Sequence, residues 1–151
     1  MDPVPLRASE AAARSLNLHL QVVEARGPND FERAFSLAAK GNRALVVSQS
    51  PMFDVHQQLL VDLAAKHRLP TTSIFSRAAE AGFLMSYGPN IDDLFRQAAP
   101  TWTRSSRARS QATCRCEQPT QFELVINLKT AKALGLTIPP SLLLRADQVI
   151  E

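Results

Sequence analysis

Helix-like and strand-like segments alternate along this chain with short links, and this alternation constrains the fold more than any other feature. Residues 9–17 (SEAAARSLN) are rich in alanine and begin with a serine suited to a helix N-cap. Residues 18–25 (LHLQVVEA) alternate and have valines at their centre, which predicts a strand. Alternation of this kind is typical of an α/β protein with a parallel sheet.

The same succession continues to residue 99. Residues 29–41 predict a helix with Asn29 as N-cap, Glu32 completing a capping box and Gly41 at its end. The run ALVVS (44–48) is continuously apolar, as in a strand covered on both faces. Further strands are predicted at 71–75 and 83–87, and further helices after Asp54, after Ser76 and after Asn90. We expect a three-layer, doubly wound, mainly parallel sheet of about four or five strands.

The remainder of the chain divides into a basic segment and a C-terminal extension. Residues 100–118 are irregular in pattern and contain Arg104, Arg107, Arg109 and Arg115. Beyond them, residues 122–128 (FELVINL) predict a strand, 129–134 a short helix ended by Gly135, and 141–149 a last helix after two prolines.

The distribution of charge argues against a specific nucleic-acid-binding function. The formal net charge is +3, and it would fall by four to −1 without those four arginines, so the basic character belongs to one segment. The segment can contact phosphates nonspecifically, but no reading module accompanies it, so we expect no specific nucleic-acid partner.

The sequence also lacks the signs of catalysis, metal binding and membrane insertion. It has neither a glycine-rich phosphate loop nor a nucleophile elbow, so we expect no enzyme and no cofactor. Cys114 and Cys116 form a C-x-C pair, whereas a structural zinc site takes four ligands. No run approaches the roughly 18 apolar residues of a membrane span. The start, MDPVPLRASE, has no apolar leader, which as written predicts a cytoplasmic chain.

Two blocks resemble one protein family. Residues 122–151 (FELVINLKTAKALGLTIPPSLLLRADQVIE) resemble the C-terminal signature of substrate-binding proteins from ATP-binding-cassette uptake systems, and residues 63–99 resemble the same family. The resemblance implies a periplasmic-binding-protein-like fold, in which two α/β lobes close over a small solute and deliver it to a membrane permease. It also implies a periplasmic full-length protein, with some members similar to binders of aromatic amino acids.

By this resemblance the chain is the C-terminal portion of such a protein. Residues 1–99 would be a truncated second lobe, and residues 119–151 would return to a missing first lobe. The strand at 122–128 would then either add to the edge of the remaining sheet or pair with a second copy. Because an unpaired apolar strand edge promotes association, we expect a homodimer.

Ligands of open α/β sheets bind beyond the carboxyl ends of the strands, which selects three loops. The candidate ligand-binding residues are Ser50, Met52, Phe53, Ser76, Ser86 and Tyr87. Serine hydroxyls could hold a carboxylate, and Phe53 or Tyr87 could stack on an apolar solute. The alternative interpretation is that Ser50 merely ends a strand and that Phe53 and Tyr87 belong to the core.

The function predicted from descent is therefore binding of a small solute, an amino acid among the candidates, impaired in the truncated form. Two alternatives stay open. One is a non-functional remnant of a decayed gene, and the other is a free-standing α/β ligand-binding or interaction module.

The basic segment yields a prediction about the gene. Where this chain has PTWTRSSRARSQATCRC (100–116), family members carry something like AYVDKILKGAKPGDLPV at the same length. We infer a frame-shifted segment, with one base lost near codon 100 and one gained near codon 115. A true frameshift pair and a sequencing error would both produce it. Sequencing the gene should reveal codons that spell a family-like peptide in the other frame. Codons that do not spell such a peptide would refute the frameshift.

Overall fold

The computed structural model describes residues 3–41, 43–91, 93–96 and 121–151. The frame-shifted segment predicted at 100–116 and both cysteines lie outside these ranges. In chain order the elements are α1 (Pro3–Ser15), a 3-10 turn (Pro28–Asp30), α2 (Phe31–Ala38), β1 (Leu45–Val46), α3 (Pro51–Val55), α4 (Gln57–Lys66), β2 (Thr71–Ser73), α5 (Ser76–Ala81), β3 (Met85–Pro89), β4 (Phe122–Asn127), α6 (Leu128–Leu134), α7 (Pro140–Leu143) and β5 (Gln148–Ile150).

The strands form one five-stranded sheet in the order β1-β2-β3-β4-β5. The pairs β1–β2, β2–β3 and β4–β5 are parallel. The pair β3–β4 is antiparallel, with a register that runs from Met85 opposite Ile126 to Pro89 opposite Phe122. The predicted α/β fold with a mainly parallel sheet of four or five strands is confirmed.

The strand predicted at 122–128 is β4, and it has neighbours on both sides. It lies between β3 and β5 of the same chain, so of the two alternatives the structure shows addition to the sheet. An unpaired β4 was the reason to expect a homodimer, and β4 leaves no free edge here.

A hydrophobic core forms where α2 and α4 pack together. Phe31, Phe35 and Ala38 are spaced four and three residues apart, which places them on one face of α2, and each is at most 4% exposed. This face joins Leu60 and Leu63 of α4 in one buried cluster. The helix predicted within residues 29–41 thus presents one apolar face to the core.

A polar contact links the same two helices. The Glu32 carboxylate accepts a hydrogen bond from Lys66 Nζ at 2.6 Å, and its Oε1 lies 3.7 Å from His67 Nε2. The hydrogen bond from Lys66 is the main cause that lowers the pKa of Glu32 below its ordinary 4.5. Glu32 therefore reaches across to α4 and does not close the predicted capping box. The N-cap of α2 is Asp30, not Asn29, because Pro28 and Asn29 belong to the 3-10 turn.

The predicted strand at 18–25 is wrong. Among the described residues this segment is not part of the five-stranded sheet, and Leu18, Leu20 and Val22 are 62%, 40% and 43% exposed. A strand needs a neighbour for its backbone groups, and β1, the edge strand of the sheet, is only two residues long. Its Val46 is 67% exposed, so the run ALVVS is not covered on both faces.

The predicted start of the helix after Asp54 is also wrong. Asp54 lies inside α3, and α4 begins only after His56. The helix is broken at His56, and Val55 and Leu59 on either side of the break are 79% and 41% exposed.

The last predicted helix, at 141–149, is wrong in its second half. Here α7 ends at Leu143 and residues 148–150 form β5. Asp147 explains the change, because its side chain and its backbone both bond to one residue of β4. Its Oδ2 accepts from Leu124 N at 2.8 Å, and its N–H donates to Leu124 O at 2.9 Å. Tertiary pairing thus overrides the local helical pattern.

One glycine of β3 permits a close approach between two backbone segments. A Cβ on Gly88 of β3 would overlap the carbonyl oxygen of Ile74, in the segment that follows β2. The backbone of that segment therefore lies directly against β3, and only glycine leaves the space.

We predict that Gly88→Ala lowers the free energy of unfolding by about 3 kcal/mol, because the rigid backbone of Ile74 cannot yield as a side chain could. Urea unfolding measures it. Gly27→Ala is the matched control, since a Cβ there meets nothing within 4 Å and the backbone is extended. Equal unfolding midpoints for the two variants would contradict the close approach.

Candidate functional site

The candidate residues gather at one edge of the sheet. Strands β1, β2 and β3 are parallel, so their carboxyl ends share an edge. Strand β4 is antiparallel to β3 and begins at this same edge, at Phe122. We call this side of the molecule the carboxyl edge.

The loop after β1 brings three predicted residues to the carboxyl edge. Ser50 is the N-cap of α3 and its side chain makes no capping hydrogen bond. Met52 and Phe53 pack against the buried core cluster. The Phe53 ring lies 5.7 Å from the ring of Phe31, which is 1% exposed. Phe53 therefore has a core contact, and its half-buried side chain keeps only part of its surface for a solute.

The end of β2 contributes Ser76, which begins α5 and is half-buried. The preceding Phe75 is the extended N-cap of that helix. Ser76 thus lies between the loop after β1 and the end of β3 along the same edge.

Ser86 has a different position from that predicted. It lies within β3, opposite Val125 of β4, and is 1% exposed. Its hydroxyl is buried and has no hydrogen-bond partner among the described residues. In this conformation Ser86 has no surface with which to contact a solute, since the sheet and its helices cover it.

Tyr87 is exposed and stacks on an aromatic residue that sequence reasoning missed. Its ring centroid lies 5.9 Å from that of Phe122, with 25° between the ring planes. The two side chains are 59% and 52% exposed. Because Phe122 pairs with Pro89, it lies diagonally across from Tyr87 on the same face. The antiparallel register is the signal that would have found Phe122.

Hydrogen bonds hold the end of β3 to the start of β4. The Asn90 side-chain amide donates to Glu123 Oε2 at 2.8 Å, and its Oδ1 accepts from Asp93 N at 2.9 Å. The Asn90 N–H also donates to Gln121 O at 3.2 Å. Asn90 therefore begins the following helical turn, as predicted, and fixes the point where both strands meet the carboxyl edge.

Within ranges 3–41, 43–91, 93–96 and 121–151, no group of three or more His, Cys, Asp or Glu side chains is placed to hold a metal ion. None of the helices in those ranges is both long enough and apolar enough to cross a membrane.

The sequence matches the family profile described as ABC transporter substrate binding protein over residues 5–150. The chain belongs to this family. This match confirms the family resemblance identified in the sequence. No curated protein matches the chain.

Solved structures show the same fold. A conserved domain protein from Vibrio cholerae is similar with a TM-score of 0.88 at 19% identity, over 98% of this chain and 50% of that one. An ABC domain in complex with L-Trp from Streptococcus pneumonia has a TM-score of 0.87 at 21% identity, over 98% and 51%. A ligand-free, open substrate binding protein with adhesive properties from Clostridium difficile has a TM-score of 0.72 at 16% identity, over 98% and 50%. The chain spans about half the length of these proteins.

We predict that Ser86→Ala raises the free energy of unfolding by about 1 kcal/mol, because it removes a buried hydroxyl that has no hydrogen-bond partner in the described part of the chain. Chemical denaturation measures the change. Thr71→Val is the matched comparison, since Thr71 is 2% exposed and its hydroxyl donates to Leu69 O at 2.9 Å. That variant should lose about 1 kcal/mol. A similar loss for Ser86→Ala would show that the Ser86 hydroxyl has a partner.

Proposed function

We propose that this chain is the solute-binding component, or one lobe of it, of an ATP-binding-cassette uptake system. The observation that carries the proposal is the family match over residues 5–150. The function is binding and release, with no covalent step. The partners are a small-molecule solute and the cognate permease, and the working location is the periplasm.

The carboxyl edge is the proposed solute surface. In open α/β sheets this edge is where ligands bind, and here it carries Ser50, Phe53 and Ser76 in successive loops. Serine hydroxyls suit a carboxylate, and the exposed part of Phe53 suits an apolar group. Met52 contributes a half-buried flexible side chain beside them.

The proposed solute is an amino acid with an apolar or aromatic side chain. One similar solved structure holds L-Trp. On this chain the stacked rings of Tyr87 and Phe122 stand half-exposed where β3 and β4 reach the carboxyl edge. Aromatic pairs gain from a further apolar contact, which an aromatic solute or the facing lobe would supply.

Strands β3 and β4 are the proposed connection to that facing lobe. Both reach the carboxyl edge, at Pro89 and Phe122, and Asn90 ties them together there. Since the similar proteins are about twice as long, a second lobe would complete the cleft, and hinge closure would trap the solute.

Thermal unfolding in the presence of solutes tests the proposal. A solute that binds only the folded chain raises the melting temperature by mass action. We expect L-Trp at millimolar concentration to raise it more than L-Asp or L-Lys does. Tyr87→Ala should reduce the rise, whereas Leu144→Ala, which alters an 88% exposed residue at the C-cap of α7, should not. No stabilisation by any amino acid or small carboxylate would contradict the proposal and favour a non-functional remnant.

A further inference from the structure

A groove lies at the opposite edge of the sheet from the candidate solute surface. The parallel strands β2 and β3 start there, and the groove is floored by Thr71 and Leu84 at those starts. One wall is formed by the last turns of α4, which contribute Ala65. The other wall is the outer face of α6, which contributes Ala133. Its volume of about 320 Å³ lies within the range of small-molecule sites, about 300–1,000 Å³.

The groove is apolar inside, and its hydroxyl groups are already occupied. Thr71 Oγ1 donates to Leu69 O at 2.9 Å, and Thr130 Oγ1 donates to Gly82 O at 2.9 Å. Val61, Phe83 and Leu134 supply apolar surface. Neither hydroxyl proton is therefore free for a ligand, and recognition inside the groove would rest on apolar contact.

The charged groups of the lining are all cations. Arg68 and Lys129 line the groove, and no Asp or Glu does. Both residues are exposed, and neither side chain forms an ion pair with any residue that the structure describes. Two unpaired cations beside apolar walls complement a ligand with an anionic head and an apolar body.

Arg68 occupies an unusual backbone position at the end of α4. Its φ is +48°, a left-handed conformation that glycine or asparagine takes more readily. The Leu69 N–H closes the turn on Ala64 O at 2.9 Å, and the Arg68 N–H bonds to Ala65 O at 3.1 Å. These bonds satisfy the carbonyl groups of Ala64 and Ala65, and the Arg68 side chain adds a cation at this end of the groove.

We infer that this groove is a second ligand site, which binds a small amphipathic carboxylate. The apolar chain lies between α4 and α6, and the carboxylate lies at Arg68 and Lys129. The site is separate from the carboxyl edge.

Isothermal titration calorimetry with sodium octanoate tests this site, with 1-octanol and octylammonium as probes of equal chain length. Octanoate should bind most tightly, 1-octanol more weakly and octylammonium least. Equal affinity for octanoate and 1-octanol would overturn the assignment of the cations. No heat of binding with octanoate at either of two temperatures would overturn the site itself, since apolar burial makes the heat of binding depend on temperature.

Variants locate the site. Lys129→Gln and Arg68→Asn should each weaken octanoate binding by up to about fivefold, as expected for exposed charges. Asparagine is chosen because it tolerates the left-handed backbone at residue 68. Ala133→Trp should abolish binding by filling the groove.

Lys132→Gln is the matched control, since Lys132 is an exposed cation on α6 outside the groove lining. It should leave octanoate affinity unchanged. A loss equal to that of Lys129→Gln would show general charge attraction and overturn the proposal. Melting temperatures measured for each variant without ligand separate lost binding from lost folding.

Discussion

The antiparallel pairing of β3 with β4 is the interaction on which the rest of the structure depends. It joins residues 85–89 to residues 122–127, and β5 then pairs with β4. Asn127 at the end of β4 is 4% exposed, and its side chain donates to Ala79 O at 2.8 Å and accepts from Thr130 N at 3.1 Å. The pairing thus places α5, α6 and the sheet together, and so defines both the carboxyl edge and the groove opposite.

Features with a local physical cause could be predicted from the sequence. The core face of α2 follows from the spacing of Phe31 and Phe35, and the end of α6 follows from Gly135, which takes a left-handed conformation at the C-cap. The cap at Asn90 follows from its side-chain chemistry. The fold class followed from the alternation of such elements, and the family from the blocks at 63–99 and 122–151.

Features that depend on distant partners could not be predicted. The pattern LHLQVVEA (18–25) is typical of a strand, but a strand forms only beside a suitable neighbour. The local pattern of residues 148–150 predicts a helix, but the hydrogen bond between Asp147 and Leu124 favours pairing with β4 instead. The stacking of Phe122 on Tyr87, like the burial of Ser86, follows from the β3–β4 register. For the candidate site, the sequence could predict that the loops lie at one edge of the sheet. It could not predict how exposed each side chain is.

Amide hydrogen exchange of the β3 and β4 backbone, measured at low and at high protein concentration, tests most directly whether this pairing is made within one chain. If the pairing is made within one chain, amides in 85–88 and 123–126 are among the slowest to exchange, with the same protection at both concentrations. Protection of β4 that appears only at high concentration would show pairing with a second copy. That result would contradict the sheet order and the position of both edges.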